Sequence, residues 1–380
     1  MALLRELIQP APLERCGDRS FPVLSMTMHD GIMLQSDRFK KSLASMDQSA
    51  YKVVKRNQLV VGFPIDEGVL YIQHVADVGI MSPAYDVWDV DQSKVDLNFL
   101  EMSLHSPQAM LYYRTNLRGT TARRRSLPKD VLLDLPLHIP DIDSQKRIVR
   151  ILFAVKRIID HRQRQLLALD TLIKARFVEM FGDETNPYNW PIINVEDIAT
   201  VTVGVVIKPA QYYTDADHGV KAFRSLNIGE MYIKDNDWVY FTQEGNDKNN
   251  KSQLHENDLL IIRSGAPGVA CVVTKQYEGC NAIDIIIARP NTDKIDPYYL
   301  CMYTNMPHGK RQIEEGTGGA AQQHFNVGKY NKLRLMLPPM EKQKQFSAFV
   351  SQIDKSKAVV QNALDKTQLL FDSVIQKCFE

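Results

Sequence analysis

The chain has 380 residues, of which 44% are hydrophobic and 24% charged, proportions that exclude a disordered or collagen-like protein. Lysine and arginine number 46 against 45 acidic residues, so no bulk charge points to a polyanionic or strongly basic partner. No apolar run approaches the roughly 18 residues needed to cross a bilayer, and five cysteines without CxxC spacing argue against a disulfide scaffold or a zinc site. Arg5 and Glu6 interrupt the first apolar stretch, which makes a poor signal peptide, so a soluble, cytoplasmic protein is expected.

In chain order, residues 1–134 form a first globular segment with strand-like runs at Lys52–Val54, Leu59–Gly62, Gly68–Ile72 and Tyr85–Val90. Residues 135–183 follow as a short alternating strand (Leu133, Leu135, Leu137, Ile139), a proline at Pro140, an acid at Asp143 that suits a helix start, and a long helix. Asn186-Pro187-Tyr188-Asn189 is a stop and a linker. A second globular segment, 184–332, has β-like runs at Ile192–Val195, Val201–Ile207, Trp238–Thr242, Leu259–Arg263, Val269–Thr274 and Ala282–Ala288. Residues 333–380 then repeat the strand, proline, acid (Glu341) and long helix.

The two strand-to-helix stretches are copies at a constant offset of 198. Pro140 meets Pro338, Gln145-Lys146 meets Gln343-Lys344, Leu166 meets Leu364, and Phe181 meets Phe379. The apolar seam of the first helix runs Ile148, Leu152, Val155, Ile159, Arg162, Leu166, Leu169, Ile173, then Met180. That of the second runs Phe346, Val350, Ile353, Lys357, Val360, Leu364, Thr367, Phe371, Val374, Cys378. A mean spacing of 3.5 residues is the coiled-coil period, and a helix of nearly 40 residues outgrows a domain of about 150. The two helices are therefore expected to pair, antiparallel if a two-fold axis relates the copies, with Arg162 and Lys357 meeting apolar stems or leaving at an end. The globular segments show a fainter kinship at offset 200: Asn57-Gln58-Leu59 against Asn257-Asp258-Leu259, and Gly68-Val69 against Gly268-Val269. The fold class expected is α+β, two mainly-β domains with small helices, each followed by a long helix, the helices forming an antiparallel coiled coil.

Catalytic signatures are missing from the sequence. There is no phosphate-binding GxxxxGK[ST] and no HExxH, and the nine histidines are scattered without metal-ligand spacing. Asn186-Pro187-Tyr188 lacks the second proline of an amino-methyltransferase loop, and no glycine-rich cofactor loop accompanies it. Gly265-Ala266-Pro267-Gly268 could cradle an anion, though a turn between strands is the commoner explanation. No metal site and no enzymatic activity are expected.

These motifs together resemble the specificity subunits of type I restriction-modification systems. The resemblance is carried by IPDIDSQKRI (139–148) and LPPMEKQKQF (337–346), each leading into a long helix. It extends through Trp190–Ala199, Phe223–Ile228, Asn257–Gly265 and Gly316–Gln323 in the second segment, and through Tyr51–Val60 and Gly79–Val87 in the first. Two departures stand out. The first segment lacks the Trp-Pro-x-x-x-Val-x-Asp-Ile-Ala opening, so its start is expected to be built differently, and Asp141 replaces a second proline.

The resemblance implies a non-catalytic DNA sequence-specificity subunit with two target-recognition domains, 1–134 and 184–332, each reading one half of a split double-stranded target. The paired helices (spacers 135–183 and 333–380) would set the separation and dock two methyltransferase subunits. S-adenosylmethionine and ATP/Mg would belong to those partners and to restriction subunits where the system has them, with no cofactor on this chain and no membrane partner. Candidate base-reading residues are Arg114, Arg118, Arg123, Arg124 and Arg125 in the first segment. In the second they are Lys208, Tyr212, Arg224, Arg263, Gln322, Gln323 and His324, since arginine can bond guanine and glutamine adenine. A coiled-coil scaffold whose β-domains bind protein instead of DNA is the alternative the residues leave open.

Overall fold

A computed structural model describes residues 1–28, 30–38, 48–117, 127–317 and 325–379. The chain divides into two compact units, Met1–Gln163 with Asn362–Glu380, and Arg164–Gln361. The boundary falls inside both long helices, Ile142–Phe181 and Met340–Phe379, so each contributes one half to each unit.

A four-stranded antiparallel sheet centres each unit. In the first, the order is Ile8–Pro10, Asp86–Val90, Leu59–Val61, Leu70–Ile72. In the second it is Ala199–Val203, Ile285–Pro290, Leu259–Ile262, Ala270–Val272. The register repeats as well: Leu59 pairs with Trp88 and Ile72, and Leu259 pairs with Ala288 and Val272. Asn57 and Asn257 both take positive φ (71° and 74°), as do Gly68 and Gly268 (78° and 87°), so the offset-200 kinship marks shared turns.

The central strands read as unbroken apolar runs because both faces of the sheet are covered. Leu259, Ile261, Ala270, Val272, Ile286 and Ala288 enter the core shared with the helices, whereas Leu260, Ile262, Cys271, Val273, Ile285 and Ile287 enter a second one. The units diverge in that outer layer. The first has the hairpin Leu24–Thr27/Gly31–Leu34 and the pair Lys52–Lys55/Val78–Met81. The second has a sheet of order Tyr213–Thr214, Val239–Thr242, Gly219–Phe223, Asn281–Ala282, whose last pair is parallel.

The start of the first segment corrects the expectation. Leu3 N donates to Glu6 Oε1 (3.0 Å) and Leu4 N to the Leu135 carbonyl (3.0 Å). Asn194 N likewise donates to Asp197 Oδ2 (2.9 Å), and Val195 N to the Leu333 carbonyl (3.1 Å). Leu-Leu-Arg-Glu-Leu (3–7) thus builds the same turn as Asn194–Ile198, because the turn needs only an acid three residues on and two buried aliphatic side chains. Two further boundaries move. Leu133 closes a helix, Lys129–Leu133, and the strand after it is only Pro136–Leu137. The strand expected to reach Ile207 stops at Val203, because Gly204 lies against the Ala282 backbone, where a Cβ would fall 2.4 Å from the carbonyl oxygen.

The repeated Gln-Lys is explained by its first residue. Gln145 is buried, accepts from Asp96 N (2.7 Å) and donates to the Pro140 carbonyl (2.7 Å). Gln343, also buried, accepts from Asp296 N (2.9 Å) and donates to the Pro338 carbonyl (2.7 Å). Asp96 and Asp296 in turn cap the helices Leu97–Leu104 and Pro297–Asn305, so one amide ties the start of each long helix to its own globular segment. Asp141 substitutes for the second proline by capping: its carboxylate accepts from Ser144 N (2.9 Å) and Oγ (2.7 Å), which holds its pKa below the usual value. Replacing Gln343 with alanine leaves a buried N–H and carbonyl unpaired and should cost about 1–2 kcal/mol, read as a lowered urea midpoint with unchanged slope.

The helices pair antiparallel. In the first unit, Val149 and Leu152 near the start of one helix share a core with Phe371, Val374 and Phe379 near the end of the other. In the second unit, Ile173, Phe177 and Phe181 share a core with Phe346, Val350 and Ile353. Each globular segment also packs on the end of the other segment's helix, Phe379 against Phe99 (5.3 Å between ring centroids) and Phe181 against Tyr299 (4.8 Å). Of the predicted seam, Leu152, Ile159, Phe346, Val350 and Ile353 are buried, and Ile148, Val155, Leu166, Leu169, Val360, Leu364 and Phe371 are half-buried. The predicted seam omitted Phe177, which is fully buried. The polar seam positions also find different partners from those expected. Arg162 donates to the Ala363 carbonyl and Thr367 Oγ1, and Lys357 pairs with Asp170 (2.6 Å), because a half-buried charge is held better by an acceptor than by an aliphatic stem.

Candidate nucleic-acid interface

Strands Ala199–Val203 and Leu259–Ile262 both run antiparallel to Ile285–Pro290, which lies between them, so their C-terminal ends lie at the same end of the sheet. That end of the sheet gathers residues 204–208, 263–268 and Asp284. It also receives Arg224, because Phe223 pairs with Ala282 and the Ile283 amide donates to the Phe223 carbonyl (2.8 Å). Phe325 closes the group: its amide donates to the Arg263 carbonyl (3.2 Å), and Arg263 Nε donates to the Phe325 carbonyl (3.1 Å). Five stretches distant in sequence thus meet at that sheet end, those of Lys208, Arg224 and Arg263 among them.

Their environments differ. Arg263 is half-buried, with its guanidinium engaged by Asp284 as well as Phe325, so it braces the loops. Arg224 donates through Nη2 to the Asp237 carbonyl, while its Nε is buried without a partner among the described residues. Lys208 is exposed and takes a positive φ of 45° just before Pro209. Tyr212 packs on Phe241 (5.7 Å) with the Lys248 ammonium 5.9 Å from its ring, so its ring serves the outer layer. Nearby, Lys221 bonds Asp235 (2.9 Å) and sits 4.7 Å from the Trp238 ring. The Asp235 bond raises the lysine pKa, and the Lys221 bond lowers that of the aspartate.

In the first unit Arg114 is exposed on the helix Pro107–Asn116. Arg118, Arg123, Arg124, Arg125, Gln322, Gln323 and His324 lie outside the described residues. The position equivalent to Arg263 is Phe63, since Gly62 N bonds the Val69 carbonyl (2.8 Å) as Ile262 N bonds that of Val269 (2.9 Å). Phe63 is exposed and meets Tyr85 edge-on (5.5 Å). The same site therefore carries a cation in one unit and an aromatic ring in the other. Sequence reasoning missed Phe63, Val206 and Ile207, because apolar residues at the edge of a strand-like run look like strand interior.

Among the described residues, no group of three or more His, Cys, Asp or Glu side chains could hold a metal ion, and no helix is long and apolar enough to cross a membrane. Residues 180–366 match the family model of the type I restriction modification DNA specificity domain. Two solved structures share the fold. A type I restriction-modification S subunit from M. genitalium is 13% identical over 100% of this chain and 95% of that one, with a TM-score of 0.54. A chain from a structure describing complex assembly and conformational transition of the type I restriction-modification system is 16% identical over 99% and 96%, with a TM-score of 0.59. Residues 180–366 therefore belong to the type I restriction-modification DNA specificity domain family, and the chain is a DNA sequence-specificity subunit.

Proposed function

We propose that each unit reads one half of a bipartite double-stranded DNA target, and that the paired helices hold the two readers in register and dock two methyltransferase subunits. The observation that carries this reading is the duplicated sheet with its register kept and the chemistry at one sheet end changed, Phe63 against Arg263. Keeping a frame while altering its reading edge is what recognition of two unlike half-sites requires. A single small domain covers few base pairs, so tethering two multiplies modest affinities through effective concentration.

The helices support the docking role. Ile151, Ile158, Leu369 and Leu370 in the first unit, and Leu167, Leu172 and Val359 in the second, are exposed apolar side chains outside the seam. Beside Lys174 and Val178 in the second unit runs an open groove of about 690 Å³ with Met306 and Pro307 on its other wall. At its edge Glu230 holds Lys174 (2.6 Å) and Lys310 (3.1 Å). Burial works against its charge, but the two lysines outweigh it and keep the carboxyl pKa low.

S-adenosylmethionine, and ATP/Mg for any restriction subunits, would be bound by these partners in the cytoplasm, where the chain itself performs no chemistry. The test assembles the chain with its methyltransferase, maps methylated adenines to find the target, and repeats the measurement with Arg123, Arg124 and Arg125 replaced by alanine. The triple variant should change recognition of one half-site alone. An assembled complex that methylates DNA without sequence preference would overturn the reading.

A further inference from the structure

In the second unit the chain leaves the sheet at Val203 and presents two adjacent β-branched side chains to solvent, Val206 at 50% and Ile207 at 79% exposure. The loop base is firmly held. Gly204 N donates to the Ile285 carbonyl (2.9 Å), Val205 N to the Ala282 carbonyl (2.8 Å), and Val205 is buried against Ile283. Beyond the tip, Lys208 at positive φ and Pro209 restrict the return path. The apolar pair is therefore displayed on a fixed base, with a cation next to it and no cover among the described residues.

The first unit does the same at the matching sheet end. Leu13, just beyond Ile8–Pro10, is 68% exposed, and Phe63, just beyond Leu59–Val61, is 58% exposed with its ring against Tyr85. Two diverged outer layers that keep uncovered apolar groups at the same place point to one kind of partner surface. For a protein that recognises DNA sequence, the apolar group on a base-pair edge is the 5-methyl of thymine, which projects into the major groove.

We propose that Ile207 in the second unit and Phe63 in the first are specificity-determining residues, each contacting the 5-methyl group of a thymine in its half-site. This rests on the DNA-reading function proposed above. Lys208, one residue from the contact, then meets the neighbouring phosphate, which brings affinity without sequence information.

The test uses the chain assembled with its methyltransferase subunits and a duplex carrying the mapped target, with each thymine replaced in turn by uracil, which lacks only the methyl. The wild-type complex should lose about fourfold in affinity at one position of each half-site, the size of one buried methyl group. Ile207→Ala should bind thymine DNA about as weakly as wild type binds the uracil duplex, with thymine and uracil no longer distinguished at the second unit's position. Phe63→Ala should act likewise in the other half-site. Lys208→Ala should instead leave that discrimination intact and reduce the salt slope by about one.

Both apolar side chains are exposed, so the alanine variants should keep the wild-type urea midpoint. Unchanged thymine–uracil discrimination in Ile207→Ala and Phe63→Ala, or half-sites without thymine, would overturn the proposal while leaving DNA reading intact. A wild-type complex with no sequence preference would instead overturn the underlying function.

Discussion

Replacing Phe177 with alanine is expected to destabilise the second unit by about 3–5 kcal/mol, the range for deleting a fully buried aromatic side chain. Its ring lies 5.0 Å from Phe181, 5.5 Å from Tyr299 and 5.4 Å from Phe346, so it joins the end of one long helix, the start of the other and the globular segment. The cavity would open where all three meet, and aromatic rings locked edge to face cannot easily collapse into it. Urea unfolding of the chain should show the loss directly. Assembly with the methyltransferase should weaken with it, because the surface proposed for docking lies on these helices. Phe177→Leu, which fills much of the volume, should cost roughly half as much. Equal stability of Phe177→Ala and wild type would mean that the helix ends do not share this core.

Arg289→Met is expected to cost about 2–3 kcal/mol, the second largest effect, because it leaves Asp258 buried without its counterion. Arg289 bonds both oxygens of that carboxylate, through Nε and Nη2 at 2.8 Å each, and Asp258 also accepts from His255 N (2.9 Å). The loss is smaller than for a fully enclosed pair, since the arginine side chain is 45% exposed.

The first unit fills the same slot with different chemistry. Gln58 accepts from Lys55 N (2.7 Å) and donates to Asp89 Oδ1 (2.7 Å). The double substitution Asp258→Gln with Arg289→Asp would therefore copy the first unit's pair into the second. It should recover at least half of the stability lost by Arg289→Met, measured as a double-mutant cycle by urea unfolding. A double variant less stable than either single one would show that the two slots are not interchangeable.

That exchange illustrates what a sequence conceals. Gln58-Leu59 and Asp258-Leu259 align by inspection, but the partner of each polar residue lies about 31 positions away and changes identity with it. The central strands were legible as short apolar runs between polar loops, and the seam from its 3.5-residue period. The small helices Leu97–Leu104 and Pro297–Asn305 carried their capping aspartates in plain view, yet without the buried glutamines those caps look like ordinary loop residues. The interface was the least legible part. Of the candidates within the described residues, Arg263 and Arg224 spend their polar groups largely on the loops around them, while the exposed apolar residues beside them gave no periodic signal.

Local chemistry in the chain was enough to determine the duplication, the two long helices and the sheets, because periodicity and proline, glycine and asparagine positions act over a few residues. Only the tertiary structure decided that each globular segment packs on the end of the other's helix, and that Lys208, Arg224, Arg263 and Phe325 share one sheet end. Those choices depend on strand order and on which apolar faces cover one another, and the free energy of such burial depends on contacts between residues far apart in the chain.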